Sequence, residues 1–146
     1  MKRFIIALTM AFSVFTMSAF AIDGTINPRV QKSFESSFAS AKDVKWSMVE
    51  NLYLAEFSVD GQKVSAFYDV EGTLVATARH IAPQQLPISL QSSLKKRSEG
   101  YTLADIFEVN NQDGTSYYVT IDNGEKRIML KSGVAGDWSV YKKEKK

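Results

Sequence analysis

The sequence predicts an α+β protein of two tandem helix-plus-antiparallel-strand repeats, forming one sheet with both helices packed on one face. Three observations carry that expectation. Apolar residues recur every fourth position in one short segment, a second segment after Leu86-Pro87 has apolar residues at helical positions, and alternation prevails almost everywhere else, which separates helix from strand. Asp-Gly and Asn-Gly dipeptides fall between alternating stretches, where tight hairpins need positive φ. The succession of helix start, hairpin and closing turn also occurs twice, at an offset drifting from 59 to 64 residues.

Taken in order, Asn27-Pro28 opens the first helix, since Asn caps well and Pro suits the first helical position. Val30, Phe34 and Phe38 form its apolar stripe, and the pattern fades near 39–41. Val44, Trp46 and Met48 then alternate with Lys45 and Ser47, and Tyr53, Ala55, Phe57 and Val59 with Leu54, Glu56 and Ser58. Asp60-Gly61 turns the chain into a strand over 64–68, and Glu71-Gly72 turns it again into 73–80. Leu86-Pro87 opens the second helix, with Ile88, Leu90 and Leu94 as apolar positions and Gly100 as a stop. Strands are predicted over 103–109, 116–122, 126–131 and 137–142, with Asp113-Gly114 and Asn123-Gly124 as turns between them.

The amino terminus has a different character. Lys2 and Arg3 precede an apolar run from Phe4 to Phe15, and Ser18-Ala19-Phe20-Ala21 offers small residues for cleavage. That pattern predicts a secretory signal peptide over 1–21, too short in its apolar part for a spanning helix of about 20 residues. Repeats are then placed at 22–82 and 83–141, with a basic tail at 142–146. Removing residues 1–21, which hold two basic side chains and no acid, takes 18 basic against 16 acidic to an even 16 against 16. Four of those 16 basic residues lie in the tail, so the body offers no footprint for nucleic acid. No further apolar run is long enough to span a membrane. The chain has no Cys, which excludes disulfides, a thiol nucleophile, a Cys-held metal and a lipid-modified cysteine. A periplasmic or secreted chain is expected.

Val44-Lys45-Trp46, Ala66-Phe67-Tyr68-Asp69-Val70-Glu71-Gly72 and Leu86-Pro87 resemble the PepSY-like family of secreted bacterial proteins. Gly100-Tyr101, Ile106-Phe107-Glu108-Val109 and Tyr117-Tyr118-Val119 fit the same likeness, which covers the chain from about Pro28 to Tyr141. The family is grouped by fold with the β-lactamase inhibitor proteins, tandem helix-plus-sheet repeats. The resemblance implies an exported protein that binds proteins or peptides and restrains a peptidase or another envelope enzyme. It brings no catalytic residue with it, and those inhibitors typically carry disulfides that this chain lacks.

The residues themselves point to little chemistry. His80 is the sole histidine and ends a predicted strand beside Arg79, without the further ligands a zinc site wants. Asp60, Asp69, Glu71, Asp113, Asp122 and Asp137 fall at turns, which favour Asp for backbone reasons. Asn110-Asn111-Gln112-Asp113-Gly114 resembles a calcium loop only faintly, lacking the downstream Glu. No cofactor, no metal and no enzymatic activity are expected. A small-ligand or envelope-surface binder is the alternative to a protein binder, and a carboxylate-dependent hydrolase the weaker one.

The aromatics carry the residue-level expectation. Phe67-Tyr68 and Tyr117-Tyr118 are adjacent pairs on strands, where neighbours point to opposite faces. Tyr68 shares parity with Val64 and Ala66, and Tyr117 with Val119 and Ile121, which leaves Phe67 and Tyr118 on the face away from the helices. Rings on a solvated sheet face serve either as anchors for a partner or as cross-strand pairs that stabilise the sheet. Phe67, Tyr118 and the Asp60-Gly61 turn are therefore the candidate binding residues for an unidentified envelope protein or peptide.

Overall fold

The computed structural model describes residues 20–22, 24–133 and 136–145. The charged start and apolar run of the expected leader lie outside them. In chain order the elements are β1 (Phe20–Ala21), α1 (Pro28–Ser37), β2 (Lys42–Val49), β3 (Leu52–Val59), β4 (Gln62–Tyr68) and β5 (Leu74–His80). A 3-10 turn at Pro83–Gln85 leads into α2 (Ile88–Arg97), followed by β6 (Thr102–Asn111), β7 (Gly114–Asp122), β8 (Lys126–Ser132) and β9 (Trp138–Lys145). The strands form one antiparallel sheet in strictly sequential order, β1 through β9.

Local chemistry sets the boundaries. The Asn27 side chain accepts a hydrogen bond from the Arg29 amide at 3.0 Å, and its amide group donates to the Val70 carbonyl at 3.0 Å. One residue thus caps α1 and ties its start to the β4–β5 turn. That turn approaches closely. A Cβ on Gly72 (φ +87°) would lie 2.8 Å from the Arg29 carbonyl oxygen. Asp69 organises the same turn by accepting from the amides of Glu71 and Thr73. At the β3–β4 hairpin both central residues have positive φ, 50° at Asp60 and 80° at Gly61, as the dipeptide predicts.

Consecutive strands place Val64, Arg79, Glu108 and Tyr117 opposite one another, so one sheet face runs unbroken through both halves. Both helices pack on that face. Val30 and Phe34 of α1 enter a cluster with Ala55, Phe57, Ala66 and Tyr68. Phe34 meets Phe57 and Trp46 edge-on at centroid distances of 5.0 and 5.2 Å. Leu90 and Leu94 of α2 pack against Ile106, Val119, Leu130 and Trp138. There the Trp138 indole donates to the Leu90 carbonyl at 3.0 Å.

Three expectations need correcting. Ile88 is 81% exposed and is no part of the α2 stripe. Leu86, just ahead of the helix, is buried with Leu90 and Leu94 at a spacing of four, which turns Ile88 away. The chain does not end in a tail after Tyr141. Instead β9 continues through Lys145, pairing Lys143 with Ile128 and Lys145 with Lys126. The apolar pattern of α1 also outruns its helix, for Phe38 is already the C-cap and donates its amide to Phe34.

Candidate functional site

The sheet face opposite the helices carries a cluster of its own. Phe67 on β4 lies between Leu54 on β3 and Ala76 on β5. Ala78 pairs with Val109, and Phe107 pairs with Tyr118 on β7. Tyr118 meets Tyr141 edge-on at 5.3 Å, and the Lys131 ammonium stands 5.4 Å above its ring. Met129 completes the buried set, with Val49, Leu52, Phe107 and Tyr141 half-buried around it. Neither described helix contributes a side chain to this cluster.

Parity therefore places Phe67 and Tyr118 where the sequence puts them, but their surroundings differ from the expectation. They are 4% and 6% exposed, not rings standing on a solvated face. The physical reason is lateral packing: large side chains from several strands converge around the small Ala76 and Ala78. Register shifts opposite Phe67/Tyr68 of β4 and Met129/Leu130 of β8 leave one extra residue in β5 and one in β9, bulges that bend strands and increase their twist. Burial also raises the pKa of the Tyr141 hydroxyl, with Lys131 and Lys142 opposing it.

Further along the same strands the face turns polar. A cavity of about 300 Å³ is lined by Lys45, Glu56, Ser58, Lys63, Ser65 and His80, and reaches Ala78 and Phe107 of the apolar cluster. His80 Nδ1 lies 2.8 Å from Asp105 Oδ1, and its ring sits 4.0 Å from that of Phe107. On the helix side of the sheet, Arg79 Nε donates to Glu108 Oε1 at 2.8 Å, which raises the arginine pKa. Asp60 and Gly61 form the hairpin tip beyond Ser58 and Lys63. They border this polar end and do not join Phe67 and Tyr118. Apart from His80, sequence reasoning missed the cavity residues and Ser47, though alternation along β2 to β5 was the signal that places them on one face.

Three of the turn acids, Asp69, Asp122 and Asp137, are occupied locally. Asp122 Oδ1 accepts from the Gly124 amide and its Oδ2 from Arg127, while Asp137 Oδ1 accepts from the Trp138 amide. Asn111 Oδ1 accepts from the Asp113 amide in the β6–β7 hairpin, where the calcium-like run lies. Among the described residues no group of three or more His, Cys, Asp or Glu side chains could hold a metal ion. No described helix is long and apolar enough to cross a membrane.

A buried hydroxyl without a partner lies at the sheet's β1 edge. The Ser47 hydroxyl is buried and makes no hydrogen bond, as is also true of the Tyr68 hydroxyl beneath α1. Burial pushes the Tyr68 pKa up to about 12, with the nearby Ser37 side chain acting in the other direction. On the helix side of the same edge, Phe34, Phe38, Val44 and Trp46 line a groove of about 490 Å³.

No protein-family model matches the sequence, and no curated protein matches it. Solved structures do share the fold. A DUF2874 family protein from Bacteroides uniformis superimposes with a TM-score of 0.73 at 14% identity, over 83% of this chain and 90% of that one. A protein from Bacteroides eggerthii, provisionally described as periplasmic, gives 0.74 at 12% identity over 84% and 90%. A BLIP-like protein (β-lactamase inhibitor protein-like) from Bacteroides fragilis gives 0.67 at 17% identity over 84% and 89%. At these identities the likeness is one of fold, and it agrees with the β-lactamase-inhibitor-like grouping.

Proposed function

We propose that this chain is an exported, non-enzymatic module that binds a protein or peptide through the sheet face opposite its helices. The observation that carries the reading is the apolar cluster around Phe67 and Tyr118, core-like in composition yet built without either helix. Phe67 and Tyr118 form the floor of that patch, and the half-buried Phe107 and Tyr141 stand over it as the rings within reach of a partner, inside a polar border. Lys45, Lys63 and the Asp60-Gly61 tip would supply that border. Fold likeness to a BLIP-like protein supports the same class of activity, and restraint of a peptidase or other envelope enzyme is its specific form. A neighbour provisionally described as periplasmic supports export, and the small residues of Ser18-Ala19-Phe20-Ala21 support cleavage near Ala21.

The proposal includes a PepSY-like duplication over 22–82 and 83–141. Gly72 and Gly136, the closing-turn glycines, support it. Each has positive φ and sits against the start of its own helix, at Arg29 and Ser89 respectively. A photo-crosslinking residue in place of the half-buried Tyr141 tests the binding face. It should trap an envelope protein that the same group in place of Lys32, exposed on α1, does not. Trapping from Lys32 alone would place the partner on the helices and end the proposal.

A further inference from the structure

We infer that the outer edge of β2 is a strand-addition site for an extended peptide, which residues Phe20 and Ala21 occupy in the full-length chain. The inference rests on the peptide-binding reading and names where and how the backbone of the partner is held. β1 covers only two of the eight residues of β2, pairing Phe20 with Met48 and Ala21 with Ser47. These two residues are the last of the expected leader. Cleavage after Ala21 would remove β1 entirely and leave the ladder groups of β2 open, the arrangement that accepts an added strand.

The surroundings of that edge favour one kind of occupant. On the helix side, the groove lined by Phe38, Val44 and Trp46 runs beside it, and Val44 is 36% exposed. An antiparallel strand in the β1 register would set alternate residues opposite Met48 and Trp46, so those positions call for apolar side chains. On the other side stands the Ser47 hydroxyl, buried and without a hydrogen bond. Ala21, its cross-strand neighbour, has no polar group to offer. A serine, threonine or asparagine at that position would satisfy the hydroxyl. The geometry thus selects an extended peptide that is apolar on the groove side and carries one hydroxyl or amide opposite Ser47. The bulge between Lys42 and Lys45 confines pairing to Lys45–Val49.

The test uses the full chain with Phe20→Pro, which removes a backbone donor and loosens β1. Two synthetic peptides serve as probes: one copies residues 17–24 and the other carries Ala21→Ser. Amide exchange and Trp46 fluorescence report binding. Both peptides should slow exchange over Lys45–Val49, the serine form binding about five- to tenfold more tightly, as one hydrogen bond to a buried partner allows. In the chain that also carries Ser47→Ala, that preference should vanish. A serine peptide N-methylated on its ladder-facing amides should not bind. Equal affinities for both peptides in the Ser47 chain, or no protection over Lys45–Val49, would overturn the inference. Protection appearing at β4 and β7 instead would overturn it while leaving the binding face around Tyr118 intact.

Discussion

Replacing Tyr68 by Phe removes one oxygen from the best-buried large side chain in the first half of the sheet. Tyr68 is 0% exposed, packs among Phe34, Ala55 and Ala66 on the α1 side, and its hydroxyl has only the Ser37 side chain nearby, outside good hydrogen-bond geometry. A buried hydroxyl without a partner costs about 1–3 kcal/mol, so Tyr68→Phe should keep or raise stability near pH 7, by up to about 1 kcal/mol. The larger signature is alkaline. Burial raises the hydroxyl pKa from 10.0 to about 12. A group whose pKa is higher in the folded state adds stability that is fully present below the unfolded value, near pH 10, and is lost as pH rises through 12. A two-unit shift corresponds to about 3 kcal/mol at most. Urea unfolding between pH 7 and 12, followed by the fluorescence of Trp46 and Trp138, measures both effects. The wild-type curve should fall between pH 10 and 12, and the variant should lose much of that fall. What remains belongs to Tyr117 and Tyr141, whose pKa values are also raised. A variant destabilised by more than 1 kcal/mol at pH 7, with an unchanged alkaline limb, would show that the hydroxyl has a partner and refute the reasoning.

Phe67→Ala and Tyr118→Ala should each cost about 3–5 kcal/mol in a thermal or urea melt, as core truncations do, whereas Tyr118→Phe should stay within about 1 kcal/mol. Exposed-residue behaviour of the two alanine variants would contradict the burial of this face. Gly72→Ala should lose about 2 kcal/mol or more, because the new Cβ meets the Arg29 backbone at a strained φ. Gly136→Ala should lose less in the same assay, since its nearest neighbour is the movable Ser89 hydroxyl. Trp138→Phe gives up the indole bond to Leu90 and should cost about 1–2 kcal/mol, read by chemical denaturation.

What the sequence discloses follows from what each signal physically measures. Strand parity assigns a side chain to a face, and it put Phe67 and Tyr118 on the correct one. It says nothing of what gathers around them, because Ala76, Ala78 and Met129 arrive from other strands through a register the pattern alone does not contain. Gly-containing turns were legible because positive φ has a residue preference. The β2–β3 turn was not, since Glu50 takes φ 53° without being Gly, Asn or Asp. The bulge beside Asp43 (φ 54°) was hidden for a related reason, as nothing in Lys42-Asp43-Val44 breaks the alternation. Lys142 to Lys145 look like a solvated end by charge. Their backbone finds a ladder on β8 all the same, and charge does not report backbone pairing.

Because every strand pairs with its sequence neighbour, the search that folding must perform is mostly local. Seven of the eight ladders are closed either by hairpin-length turns or by the segment holding α1, and the eighth, β5 to β6, spans the segment holding α2. Such topology keeps contact order low for a sheet protein and favours growth by addition of one hairpin at a time. A chain emerging in order, from a ribosome or across a membrane, could build its sheet as it arrives. Only the β1–β2 and β5–β6 seams must wait for a helix to pass before their two sides meet.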